Sequence, residues 1–214
     1  MKKYTLAILL GIFIFSNATA QIKLGAFAGV NMSKLSGDVE PDTKYKSKAG
    51  GNFGFLIDIP LVENIYLSFQ PSYIQDGTKI FIKHPENEEH IENNKVKLNY
   101  LSLPVILKVT SDNGKFYCIG GIETSHLIHS SQTPVGEEQQ VLGVEIASWN
   151  FSLDFGAGLR IPIGTTNLFF EARYSHGLNN ITEDPVFNGL IPRVKTSNYR
   201  LLTGIEIPLK LTKN

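Results

Sequence analysis

The residues with the richest chemistry sit in one short run. His84-Pro85-Glu86-Asn87-Glu88-Glu89-His90 places two imidazoles and three carboxylates within seven residues, a donor set that a divalent cation could use. Cation binding needs those donors to converge, which a polar loop does not ensure, so we read the run as a solvated loop and expect no metal. A second constellation, His126, His129 and His176 with Ser152 and Asp154, holds the residue types of a hydrolase or acyltransferase. Asp154 falls deeper in its segment than the histidines do, the spacing matches no triad, and no catalytic residue is assigned. The single cysteine, Cys118, excludes an intrachain disulfide and a CxxC metal or redox site. It alternates with Phe116 and Gly120 on an apolar face, where burial disfavours the thiolate, and is read as a small hydrophobe.

The remaining charges are arranged differently. Asp58, Glu123, Asp154, Arg160, Glu171, Arg173, Arg200, Glu206 and Lys210 recur in mid-segment, each on the polar side of a period-two pattern. From Trp149 onward, Phe151, Leu153, Phe155, Ala157, Leu159 and Ile161 share one face, and Ser152, Asp154, Gly156, Gly158 and Arg160 share the other. The same alternation gives eight strands, roughly Ile22–Leu35, Gly51–Ile59, Ile65–Gln75, Val96–Val109, Lys115–His129, Trp149–Ile163, Leu168–Gly177 and Asn198–Leu211. Most are nine residues or longer. A strand of a soluble protein averages about 5–6 residues, while a tilted membrane-crossing strand needs about 9–11.

Connections alternate in length. Pro60–Asn64, Ser111–Gly114 and Gly164–Asn167 are short; Ser36–Gly50, Asp76–Lys95, Ser130–Ser148 and Leu178–Ser197 are long and polar. This is the pattern of an all-β, eight-stranded antiparallel up-and-down transmembrane β-barrel, apolar outside and charged within. A soluble lipocalin-like barrel would invert the faces, but it has no reason to alternate its loops. Phe53, Tyr73, Trp149, Tyr174 and Tyr199 fall on apolar faces near strand ends, as an aromatic girdle would. With 20 basic and 20 acidic residues the chain is neutral, which excludes a nucleic-acid footprint. Residues 1–20 have the parts of a cleaved signal peptide in order: Lys2 and Lys3, the apolar run Ala7–Phe15, and Ala18-Thr19-Ala20. The barrel domain is then 21–214.

Three segments carry a family resemblance: Ile22-Lys23-Leu24-Gly25-Ala26-Phe27-Ala28-Gly29-Val30-Asn31-Met32-Ser33, Leu98-Asn99-Tyr100-Leu101-Ser102-Leu103-Pro104-Val105-Ile106-Leu107-Lys108, and Asp154-Phe155-Gly156-Ala157-Gly158-Leu159-Arg160-Ile161-Pro162. In order and spacing they resemble the small outer-membrane β-barrel proteins of Gram-negative bacteria, the porin-family or PorT-like group. The resemblance spans the mature chain. It implies an outer-membrane location, an eight-stranded barrel without enzymatic activity or cofactor, and contact with outer-membrane lipid, lipopolysaccharide and the barrel-assembly machinery. Envelope or secretion proteins would be the partners of its external loops. One departure is the final run, Leu209-Lys210-Leu211-Thr212-Lys213-Asn214, which lacks the aromatic residue that many such barrels carry there.

The expected role is therefore structural or interactive, through the long loops. Alternatives are a narrow solute pore and a PorT-like component associated with protein secretion. An eight-stranded lumen is just wide enough for side chains, so the inward charges are read as a salt-bridged filling rather than an ion path. One register can be written. A turn centred on Thr165-Thr166 would set Arg160 opposite Glu171 and Ile163 opposite Leu168, predicting an Arg160–Glu171 salt bridge.

Overall fold

In a computed structural model, which describes residues 21–37, 43–83, 90–134, 136, 140–141, 146–181 and 194–209, the strands close into a ring. We label the staves β1 (Lys23–Gly37), β2 (Thr43–Val62), β3 (two pieces, Ile65–Phe69 and Ser72–Lys83), β4 (His90–Thr110), β5 (Phe116–Pro134), β6 (Trp149–Ile163), β7 (Thr166–Gly177) and β8 (Val194–Pro208). A two-residue segment, Gln140–Val141, pairs with the far end of β5. Each stave is antiparallel to its neighbours, and fifteen residue pairs from Lys23↔Pro208 to Gly37↔Val194 close β1 on β8. No described helix is long and apolar enough to cross a membrane. The expected signal peptide and Lys210 lie outside the described residues.

The ladders stagger as they go round. Lys23 pairs with Asp58, then Ser68, Ile106, Gly121, Asp154, Ser175 and Asn198 follow in turn, and Asn198 returns to β1 at Ser33. The circuit thus ends ten residues along the strand from where it began. Stagger and tilt are linked in a closed sheet, and barrels of this size tilt their strands by roughly 35–45°.

The short connections are turns with the residues their geometry demands. Ile163↔Thr166 leaves Gly164 and Thr165 as the loop, with Gly164 at φ 62°. A glycine of positive φ in the first loop position is the mark of the hairpin turn that matches strand twist. The loop is therefore centred one residue earlier than the sequence suggested, and the β6–β7 ladder moves by two. Arg160 faces Phe169, Glu171 faces Gly158, and the expected Arg160–Glu171 pairing does not form. A shift of two conserves the period-two alternation, so both side chains still point to the same side of the wall.

β3 is broken at Gln70-Pro71, where Pro71 has no N–H to give the ladder and its carbonyl accepts from Phe55 instead (3.0 Å). The strands also run further at the long-loop end than the pattern indicated: β2 starts at Thr43, β3 reaches Lys83, β4 starts at His90 and β5 ends at Pro134. Polar residues on both faces there hide the alternation, while pairing between neighbours sustains the sheet.

Several inward glycines mark close approaches of the backbone. A Cβ on Gly121 would strike the Val105 carbonyl and come within 2.8 Å of the Ile106 Cα, neither of which can rotate away. Gly121→Val is expected to cost about 1–3 kcal/mol, the usual range for overpacking. Denaturant unfolding of refolded protein in detergent micelles checks this; an unchanged midpoint would contradict the close approach.

Candidate functional site: the charged lumen

Inside and outside are reversed relative to a soluble protein. The outer wall exposes Phe55, Phe155, Phe116, Leu201 and Ile205, while Asp58, Asp154, Arg200 and Glu206 inside are each 1% exposed or less. The cause is the alternation itself: successive residues point to opposite faces, and the charges occupy one of them.

From the short-turn end upward, the first cluster joins β1, β2, β4, β6 and β8. Lys108 Nζ donates to Asp58 at 2.8 Å, and Arg160 lies 3.4 Å from the same carboxylate. Arg160 Nε is 2.5 Å from Glu206, which Lys23 also approaches at 3.7 Å. The Arg160 guanidinium stands over Tyr117 (4.9 Å) and Tyr66 (5.8 Å), which fill the space beside it. Lys108 is part of this network and was missed from the sequence. The segment Pro104-Val105-Ile106-Leu107 is apolar on both faces, so its inward parity could not be read.

The middle cluster centres on two arginines. Arg173 donates to Glu171 (3.0 and 2.5 Å), to Asp154 (3.3 Å) and, across the lumen, to Gln70 of β3 (2.5 Å). Arg200 grips Glu123 with both terminal nitrogens, at 2.5 and 2.8 Å, and Ser125 donates to the same carboxylate at 3.2 Å. Gln70 lies on the polar face that the alternation gives this strand; being uncharged, it was not counted among the lumen charges.

Nearer the long-loop end, Asp76 accepts from the Asn31 and Asn198 amides at 2.5 and 3.1 Å. Above it the lumen turns apolar. Leu35, Val96, Leu98, Tyr100, Ile181 and Val194 pack into one buried cluster. Ile181 belongs to the segment after β7 and is held by backbone bonds from Ala147 and to Val194. The lumen is thus stacked as ion pairs, then amides, then an apolar layer.

The girdle residues lie on the outer wall. Phe53 opposes Tyr73 with ring centroids 5.1 Å apart, and Tyr174 opposes Tyr199 at 5.0 Å. Trp149 opposes His126 at 4.6 Å. These contacts also separate the hydrolase-like set. His126 and His176 are on the outer wall, His176 meeting the Tyr174 hydroxyl at 3.3 Å, while Ser152 and Asp154 are buried in the lumen. The His84–Glu89 run lies outside the described residues, and among the described residues no three His, Cys, Asp or Glu side chains converge as metal ligands. Cys118 is exposed on the outer wall.

Among solved structures, the outer membrane protein AlkL, determined in DMPC lipid bilayers, is 13% identical with a TM-score of 0.53, covering 93% of this chain and 95% of its own. That likeness is one of fold. Neisserial surface protein A (12% identity, TM-score 0.49, covering 87% of this chain and 97% of its own) and OprG from Pseudomonas aeruginosa (12%, 0.47, 89% and 96%) are further similar structures. No curated protein matches the chain in sequence. The family model described as outer membrane protein beta-barrel domain matches residues 15–183. With most of its length matched, this chain belongs to the outer membrane protein β-barrel family and resides in the outer membrane.

Proposed function

We propose that the protein is a closed, non-catalytic scaffold of the outer membrane, whose extended outer end meets lipid and envelope partners. One observation carries this reading: the charged side chains along the lumen axis are almost wholly out of reach of water, Asp58, Asp154, Arg173, Arg200 and Glu206 being no more than 3% exposed. A conducting pore needs a continuous hydrated path past such groups. Here each carboxylate is instead committed to a cation or an amide, and the apolar layer around Leu98 and Ile181 lies above them. Arg and Glu in this setting fill and brace the wall. No observation favours the pore or secretion reading over this one.

Planar-bilayer recording tests it. Purified protein inserted into bilayers is expected to give no unitary current steps in potassium chloride under either polarity. Reproducible steps that survive purification of the folded band would overturn the closed reading.

A further inference from the structure

One carboxylate of the lumen lacks a counter-charge. Among the described residues Asp58, Asp76, Glu123, Asp154, Glu171 and Glu206 are buried, and five of these six have an arginine or lysine nitrogen at 3.3 Å or closer. Asp76 has none in ion-pair range. Arg200 lies two residues along β8 from Asn198 but spends both terminal nitrogens on Glu123. Lys48 packs its stem beside Gly77 without pairing with Asp76. The two amides that bond Asp76 ease its burial but do not cancel its charge.

The surroundings of Asp76 are set by an irregularity in β2. The β2–β3 ladder has no pairs between Ser47↔Thr78 and Asn52↔Ile74, where its register shifts. Gly50 and Gly51 occupy that gap, and a Cβ on Gly50 would strike the Gln75 carbonyl. Bulges of this kind re-aim side chains and accompany functional sites. Here β1 reaches β3 directly. Ser33 Oγ accepts from the Gly77 N–H at 2.6 Å, and the Asn31 amide donates to the Gln75 carbonyl at 3.0 Å.

Acceptors outnumber donors around this carboxylate. The Asn31 amide spends its two N–H groups on Gln75 and Asp76, and Asn198 donates to the other Asp76 oxygen, which fixes the end of each amide that faces the carboxylate. The carbonyl oxygens of both amides are buried and accept from nothing among the described residues. The Tyr100 hydroxyl is likewise unpartnered. Asp76 pairs with Leu98, so Tyr100 is its diagonal neighbour on the inner face, and Leu98 and Tyr100 belong to the apolar cluster that closes the lumen above. Three neutral oxygens beside an unbalanced carboxylate make a donor set for a hard cation. Water can donate to such oxygens but brings no charge. A divalent ion would leave an excess of buried positive charge, while a monovalent ion balances Asp76.

We propose that Asp76, with the Asn31 and Asn198 amide oxygens and the Tyr100 hydroxyl, holds an alkali-metal cation occluded beneath the apolar layer. The ion completes the charge balance of the closed lumen, so the inference rests on the closed-scaffold reading. Ion binding and conductance are separate measurements, and either can fail without the other.

The test is the stability of the refolded full chain in zwitterionic micelles, with sodium or potassium chloride replacing choline chloride at constant ionic strength. An ion bound only by the folded state raises the folding constant about tenfold for each tenfold rise in its concentration above the dissociation constant. That slope is expected for wild type in sodium or potassium and for the control Asp112→Asn, an exposed residue at the short-turn end, and it should vanish in Asp76→Asn. Equilibrium dialysis of wild type against radiosodium or radiopotassium gives a second readout that needs no variant: a single ion per folded chain, released on unfolding. No bound alkali ion, or a flat wild-type response, overturns the proposal. A slope kept by Asp76→Asn would place the ion elsewhere, and a response to calcium alone would make the site divalent; both overturn it. So does wild-type stability that ignores alkali ions and rises on acidification, with Asp76→Asn insensitive, since a proton would then balance the carboxylate.

Discussion

Glu123→Ala is expected to destabilise the folded barrel by about 3–5 kcal/mol, the cost of stranding a buried charge. Arg200 is 1% exposed, and its two terminal nitrogens are both engaged by Glu123. Removing the carboxylate leaves a buried guanidinium with its principal acceptor gone. The double change Glu123→Ala/Arg200→Met removes the orphan and is expected to recover part of the loss. Reversible urea unfolding in lipid vesicles measures both. A single variant within about 1 kcal/mol of wild type, or a double variant worse than the single, would show that the pair is not desolvated as described.

The second large effect is expected at Arg160. This residue ties Asp58 to Glu206 across the short-turn end, with Lys108 and Lys23 as the only other cations at those carboxylates among the described residues. Arg160→Met is expected to cost about 3 kcal/mol, because Glu206 keeps only the longer contacts to Lys23 and to the Asn167 amide among the described residues. A double-mutant cycle discriminates partners. Coupling of about 1–3 kcal/mol is expected between Arg160 and Glu206, and near zero between Arg160 and Glu171, which belongs to Arg173. The reverse order of couplings would restore the register in which Arg160 faces Glu171.

That register shows where sequence reading succeeds and stops. The faces of β6 and β7 were legible, since alternation puts Arg160 and Glu171 on the polar side whatever the turn. The partners were not, because Gly164 rather than Thr165 takes the first loop position, and one residue in the turn moves the ladder by two. Lys108 was hidden for another reason: the lumen also holds Ile106, Leu98 and Tyr100, so β4 is apolar on both sides. Pro71 interrupts β3 where the pattern reads as continuous. The outer extensions of β2, β3 and β4 read as loops in the sequence because lysines replace apolar residues once the wall leaves the membrane. Local composition registers the solvent, whereas strand pairing depends on neighbours distant in the chain.

The seam between β1 and β8 has a consequence for how the chain is made. Its fifteen pairs join the first strand to the last, so the edge of β1 stays open through the emergence of every other stave. Contacts of such long sequence separation form slowly, since loop closure must precede any gain. Until Val194–Pro208 arrives, β1 offers a fifteen-residue template to any extended peptide nearby, and an unpaired edge of that length invites pairing with another chain. A nascent molecule is therefore most exposed to aggregation while its last twenty-odd residues are missing. A stop codon placed just before Val194 removes one stave of eight and also the only partner that β1 has on that side.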